Sequence, residues 1–201
     1  MIEIKGHTAY KNLTAMQHDG FYKIFERFIG KINPERILEI GTASGGTTLA
    51  LNDIMISLNK PNRIRSYEVN EHSWYNYLYD AGIDLRLKNV FNHAYDSLNE
   101  ENVKEISEFI QSPGVTLVLC DGGHKIGEFN ELSKYLKIGD YIMAHDYSES
   151  IEYYERHIKD KIWNWCEITE EDIKKASDDH NLKRYMAEEF QSIVWVCKVK
   201  E

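Results

Sequence analysis

Apolar positions recur along this chain with two alternating periods. Residues 17 to 32 carry Phe21, Ile24, Phe25, Phe28, Ile29 and Ile32 at helical spacing before Asn33-Pro34 stops the pattern, which predicts an amphipathic covering helix. Arg36-Ile-Leu-Glu-Ile40 then reads as a short buried strand entering a glycine-rich turn, and Thr47 to Leu58 as the helix that follows. The alternation continues with a strand at Arg63 to Val69, a Trp/Tyr-rich helix at Glu71 to Ala81 and a third strand at Leu85 to Val90. A helix at Asn102 to Gln111 leads through Pro113-Gly114 into Val115 to Asp121, the most apolar strand and so the expected centre of the sheet. His124 to Leu136 is expected to be helical, and Lys137-Ile-Gly-Asp140 turns into a fifth strand at Tyr141 to His145.

Beyond Ser148 the pattern becomes a charged helical stretch, Glu149 to Trp165, and then a second helix opened by the capping-box pattern Thr169-Glu-Glu-Asp172. Lys183 to Glu188 and Ser192 to Val199 read as paired strands joined by a turn at Phe190-Gln191. The whole predicts an α/β fold: a Rossmann-like, doubly wound, mainly parallel sheet of about seven strands with an antiparallel C-terminal strand. We expect one domain over residues 1–201, with residues 1–32 as an N-terminal covering helix or lid and 148–182 as a variable helical insertion.

Composition narrows the function more than the fold. A net charge of −9, with Lys and Arg scattered among acids, disfavours nucleic acid as a partner. The cysteines Cys120, Cys166 and Cys197 are odd in number and lack metal-ligand spacing. Met1-Ile-Glu-Ile-Lys5 does not open a signal peptide, and no apolar run nears the roughly 20 residues of a membrane span. The expectation is a cytoplasmic protein that acts without a membrane, either as a monomer or as a homo-oligomer.

The chemistry centres on Glu39-Ile-Gly-Thr-Ala-Ser-Gly-Gly-Thr-Thr48, at the carboxyl end of the first strand, where open α/β sheets bind ligands. Gly41, Gly45 and Gly46 allow close backbone approach, and the following helix start offers free N–H groups to an anionic group. Thr47 and Thr48 add hydroxyls. The Gly-x-x-x-Gly-Gly spacing is not the Gly-x-Gly-x-x-Gly of NAD sites, since Ala43 stands at its second glycine. Glu68 ends the second strand, where an acid accepts hydrogen bonds from ribose hydroxyls, so a nucleoside is implied. The same residues can also make a tight turn and a solvated strand end.

Ile37 to Thr48, together with Asp121-Gly-Gly-His124 and Gly139-Asp-Tyr-Ile-Met-Ala-His-Asp146, resembles the class I S-adenosylmethionine-dependent methyltransferases, in particular their small-molecule O-methyltransferase and cephalosporin-hydroxylase-like branch. The likeness spans about residues 17 to 147. It implies S-adenosylmethionine as cofactor, with Glu39 anchoring the glycine turn and Gly41, Thr42, Ala43, Gly45, Gly46, Thr47 and Thr48 around the methionine moiety. By the same resemblance Glu68 binds the ribose and Asn89 faces the adenine.

At the reacting end, Asp121 and His124 sit at the end of the central strand. His124 is the candidate base for an acceptor hydroxyl, with Asp121 positioning it; the alternative is a histidine that only caps the helix. Asp121, His145 and Asp146 form a mixed carboxylate and imidazole set. The resemblance makes these three a magnesium site, although imidazole suits manganese, iron or zinc better. His124 and Glu128, four apart on a helix, read as a surface pair. Trp74, Tyr75, Tyr77, Tyr79, Trp163 and Trp165 read as packing. The function expected is methyl transfer to a small molecule, at oxygen and with metal assistance as an option. The alternatives are a metal-dependent hydrolase or hydroxylase-like enzyme, or a noncatalytic nucleoside-binding domain.

Overall fold

A computed structural model of the protein describes residues 9–92 and 97–201. The first eight residues of the expected N-terminal lid lie outside the described residues. The main sheet contains β1 (Arg36–Ile40), β2 (Ile64–Glu68), β3 (Asp84–Leu87), β4 (Thr116–Cys120), β5 (Tyr141–Ala144), β6 (Leu182–Arg184) and β7 (Val196–Lys200). Their order is β6-β7-β5-β4-β1-β2-β3, and β7 alone runs antiparallel to its neighbours. This is the doubly wound sheet that the alternation predicts, with its switch of direction between β1 and β4.

Successive residues of each central strand serve opposite faces, as the pleat requires. Ile37, Leu117, Leu119 and Met143 join one core, with Phe21, Phe25 and Phe28 of α1 (Phe21–Ile32) and Leu51 and Ile54 of α2 (Gly46–Ser57). Leu38, Val118, Cys120 and Ile142 join the other, with buried residues of α4 (Glu100–Gln111), α5 (Lys125–Leu132) and α6 (Glu170–Asp179). Strands buried on both faces are therefore continuous apolar runs, which is why β4 was readable as central.

The departures lie outside the central strands, in three segments. The aromatic stretch after β2 splits into a 3-10 turn, Ser73–Tyr75, and the short α3 (Asn76–Asp80). The charged stretch after Ser148 is not one long helix: Ile151–Tyr153 runs into a π-helical turn, Tyr154–Ile158, and Asp160 then takes a left-handed conformation at φ 58°. Burying Trp163, whose indole N–H reaches Asp146 at 2.5 Å, takes precedence over extending that helix. The capping box at Thr169 and Asp172 forms as read. The strand expected at Lys183 to Glu188 ends at Arg184, and the expected turn at Phe190-Gln191 belongs to α7 (Ala187–Gln191). The helix delivers Phe190 edge-on to Phe25 and Phe28, with centroids 5.6 and 5.0 Å away, a burial that an extended segment would have to achieve by other means.

Phe25 is the hub of this aromatic group and lies fully buried against Trp195 as well. Phe25→Ala is expected to cost roughly 3–5 kcal/mol of stability, measured by urea unfolding with an unchanged m value.

Candidate active site

The site begins with a close approach of two main chains. Gly41, just past β1, has φ 93°, and a side chain there would run into the carbonyl oxygen of Asp121 and the Cα of Gly122. Glu39 lies beneath this turn, fully buried. Its Oε2 accepts hydrogen bonds from Thr48 Oγ1 at 2.7 Å and Ser66 Oγ at 2.5 Å, and Thr42 Oγ1 lies 2.6 Å from Ser66 Oγ. Burial pushes the Glu39 carboxyl up to about 7 against the opposing pull of those hydroxyls.

Above the turn the cleft has two lobes. One, of about 220 Å³, is lined by residues that include Glu68, Asn89, Phe91 and Gly122. The other, of about 310 Å³, includes Thr47, Lys125, His145, Asp146 and Trp165. Gly41, Ala43 and Asp121 border both. Ala43 holds φ 45°; its N–H donates to Glu68 Oε2 at 2.8 Å and its carbonyl accepts from Tyr75 Oη at 2.7 Å, so neighbours on both sides fix a conformation that glycine would adopt more easily. Asn89 stands in the loop beyond β3, with Oδ1 accepting from Phe91 N at 3.1 Å.

The expected cofactor residues therefore divide. Gly41, Thr42, Ala43, Thr47, Glu68 and Asn89 line the cleft, whereas Glu39, Gly45, Gly46 and Thr48 lie behind its wall. A side chain on Gly45 would meet Leu78 Cδ1 at 2.8 Å, and one on Gly46 would meet the Thr14 carbonyl at 2.5 Å. At these two positions the missing side chain leaves room for neighbouring protein atoms.

His124 stands apart from both lobes. Helix α5 starts one residue later, so His124 is its N-cap; its ring packs 5.6 Å from Phe91 and against Gly127, and it lines neither lobe. Its expected surface partner Glu128 is buried instead, taking the N–H groups of Gly122 and His124 at 3.2 and 3.1 Å. Burial pushes that carboxyl up to about 7, with the two N–H bonds opposing.

The residue that does enter the second lobe is Lys125. Its Nζ lies 3.0 Å from Asp146 Oδ2, 2.7 Å from Glu167 Oε2 and 3.8 Å from Asp121 Oδ1. Burial pushes the ammonium towards neutrality, but these carboxylates outweigh it and hold the group charged. Burial likewise raises the Asp146 carboxyl, and the neighbouring His145, Lys125 and Trp163 bring it below its ordinary value. Gln17 donates to Asp121 Oδ2 at 3.0 Å and accepts from Trp195 Nε1 at 2.8 Å, while the His145 ring stacks on Trp195 at 4.9 Å.

Asp121, His145 and Asp146 do converge as the sequence reading expected, with one ligand atom from each within 4.8 Å of the others. Their donor types match a borderline divalent ion. Each carboxylate oxygen already has one donor beside it: His145 Nδ1 lies 3.1 Å from Asp121 Oδ1, and Gln17, Trp163 and Lys125 stand at Asp121 Oδ2, Asp146 Oδ1 and Asp146 Oδ2. The buried atom without a partner is His145 Nε2, on the far side of the ring from Asp121. As folded, the Lys125 ammonium stands beside the same carboxylates that such an ion would use.

Sequence reading passed over Gln17, Lys125 and Glu167, and took Trp163 for packing alone. Only Lys125 carried a local signal, the i,i+4 spacing from Asp121 across a helix start. The others arrive from segments distant along the chain.

A profile of the family described as Rhamnosyl O-methyltransferase/CmcI matches residues 6–195. An apo structure of CmcI aligns with TM-score 0.64 at 12% identity, over 96% of this chain and 76% of that one. A magnesium and SAM form of CmcI gives 0.61 at 14% identity, over 96% and 77%. A caffeoyl-CoA O-methyltransferase candidate from Staphylococcus aureus gives 0.54 at 12%, over 90% and 82%. At these identities the structural likeness speaks to the fold. No match was found among curated protein sequences.

The buried Glu39 carboxyl makes stability depend on pH. Its folded value is raised from 4.5 to about 7, so its contribution is full below about 4.5 and is lost as pH rises through 7. Glu39→Gln keeps the shape without the titration. Its melting temperature relative to wild type is expected to climb between about pH 5 and pH 8, and a constant difference would contradict the burial argument.

Proposed function

The chain belongs to the Rhamnosyl O-methyltransferase/CmcI family, and from that premise and the shape of the cleft we infer that it transfers a methyl group from S-adenosylmethionine to an oxygen of a small molecule. The observation that carries the reading is that the two lobes share Gly41, Ala43 and Asp121. A cofactor whose nucleoside fills the first lobe brings its sulfonium to that shared border, and an acceptor in the second lobe meets it there. Glu68 holds the ribose hydroxyls, and the Asn89 amide serves the adenine edge with both donor and acceptor capacity. Glu39, Gly45, Gly46 and Thr48 act from behind, by fixing the turn.

Methyl transfer is an in-line displacement. A lone pair of the acceptor oxygen forms the new C–O bond as the S–C pair returns to sulfur, which leaves neutral S-adenosylhomocysteine. The oxygen becomes strongly acidic as the bond forms, so a carboxylate is base enough to take its proton. Asp121 is that base, with His145 and Gln17 orienting one oxygen each.

Residues 9–32 and 148–182 serve as the acceptor-side lid of a single catalytic domain, a reading supported by Met16 from the first and Trp163 and Trp165 from the second in the lining of the acceptor lobe. Among the described residues no helix is long and apolar enough to cross a membrane. Free thiols at all three cysteines fit a cytoplasmic setting, and the net charge of −9 argues against nucleic acid as the acceptor.

Calorimetry with S-adenosylhomocysteine is expected to give micromolar-scale binding, about −8 kcal/mol, and none with NAD; NAD binding as tight would overturn the reading. With an acceptor in hand, Asp121→Asn is expected to lower turnover by on the order of 10²-fold with S-adenosylhomocysteine affinity retained. His124→Ala is expected to stay near the wild-type rate. The opposite ranking would return the base to His124.

A further inference from the structure

The acidic pocket at the ends of β4 and β5 already contains a cation, and it belongs to the chain. The Lys125 side chain is 7% exposed, and its ammonium is held by Asp146, Glu167, the Gly122 carbonyl at 3.2 Å and, more distantly, Asp121. An ammonium has three donors, and Asp146, Glu167 and Gly122 satisfy all three. The half-buried Asp121 carboxylate also accepts from Gln17 and faces the His145 ring, and the buried Asp146 carboxylate accepts from the Trp163 indole.

We propose that Lys125 is a built-in substitute for a divalent metal at the Asp121, His145 and Asp146 cluster, so that the native protein excludes a metal there and presents an ammonium to the acceptor lobe. Two constraints support it. A divalent ion draws carboxylate oxygens to about 2.0–2.2 Å, which would set it beside the ammonium in a site sheltered from water, where like charges are poorly screened. Removing Lys125 to admit the ion would leave a buried cation without its partners, a costly state for a side chain that does not reach open solvent. In the acceptor lobe the fixed ammonium, its donors already taken, acts through its charge and favours negative charge on a nearby acceptor oxygen.

The inference rests on the cluster and not on the methyl-transfer reading, so both are measured on the same samples. Manganese is titrated into the full chain and followed by loss of the free-ion electron paramagnetic resonance signal, with S-adenosylhomocysteine binding measured in parallel. Wild type and Lys125→Arg are expected to show no stoichiometric manganese site. Lys125→Met is expected to gain one, at least roughly tenfold tighter than any wild-type binding, and adding Asp146→Asn is expected to abolish the gain. A stoichiometric wild-type site that Asp146→Asn removes would overturn the proposal, as would a folded Lys125→Met with no gain. If near-ultraviolet circular dichroism shows that Lys125→Met does not fold, wild type against Asp146→Asn decides alone: indistinguishable titrations support the proposal, and a site lost with Asp146 overturns it. Loss of S-adenosylhomocysteine binding in wild type would count against the cofactor reading only.

Discussion

The ends of β1 and β4 meet so closely that a side chain at Gly41 would strike the main chain of Asp121. This contact lies at the point where the sheet reverses its winding, and it fixes the carboxylate of Asp121 beside the turn that follows β1. The two lobes of the cleft are consequences of it: each is bounded by the same three residues, and whatever fills one must face the other across Asp121. The polar layer under the turn, from Glu39 through Ser66 and Thr48, keeps that approach rigid by tying β1 to β2 and to the first turn of α2. A buried carboxyl is an expensive way to do so, since its charged form is disfavoured by burial.

The same economy governs the acidic end. Holding the half-buried Asp121 beside the buried Asp146 is tolerable only with compensating charge and hydrogen bonds, which come from Lys125, His145, Gln17 and Trp163. These partners come from four parts of the chain: the segment before α1, the start of α5, the end of β5 and the segment after the π-helical turn. Trp195 links two of them by donating to Gln17 and stacking on His145. The acceptor lobe is thus assembled late in the chain's layout, and its chemistry depends on segments whose own local structure is weak.

That dependence explains what could be read in advance. The central strands announced themselves as apolar runs because both their faces are buried, and Gly41 could be placed because a strand ending in glycines has few other uses. The convergence of Asp121, His145 and Asp146 followed from adjacent parallel strands ending at one level. His124 was the natural base by residue type, yet a single-residue offset in the start of α5 turned it towards Phe91 and brought Lys125 into the lobe. Gly45 and Gly46 looked like ligand-facing glycines, but Leu78 and the Thr14 carbonyl, both remote in sequence, occupy the space they leave. The helix at Ala187 and the broken helix after Ser148 were missed for one reason: burial of single aromatic residues, Phe190 and Trp163, outweighs local pattern.

The proposed reaction requires a nucleoside cofactor in the first lobe to bring its reacting sulfur to Asp121. A crystal of the full chain grown with S-adenosylhomocysteine measures it most directly. Adenosine is expected between Glu68 and Asn89, with the homocysteine tail along Gly41 to Thr47 and the sulfur facing the second lobe beside the Asp121 carboxylate. Adenosine bound elsewhere, or a sulfur turned away from the lobe that holds Lys125 and His145, would contradict it.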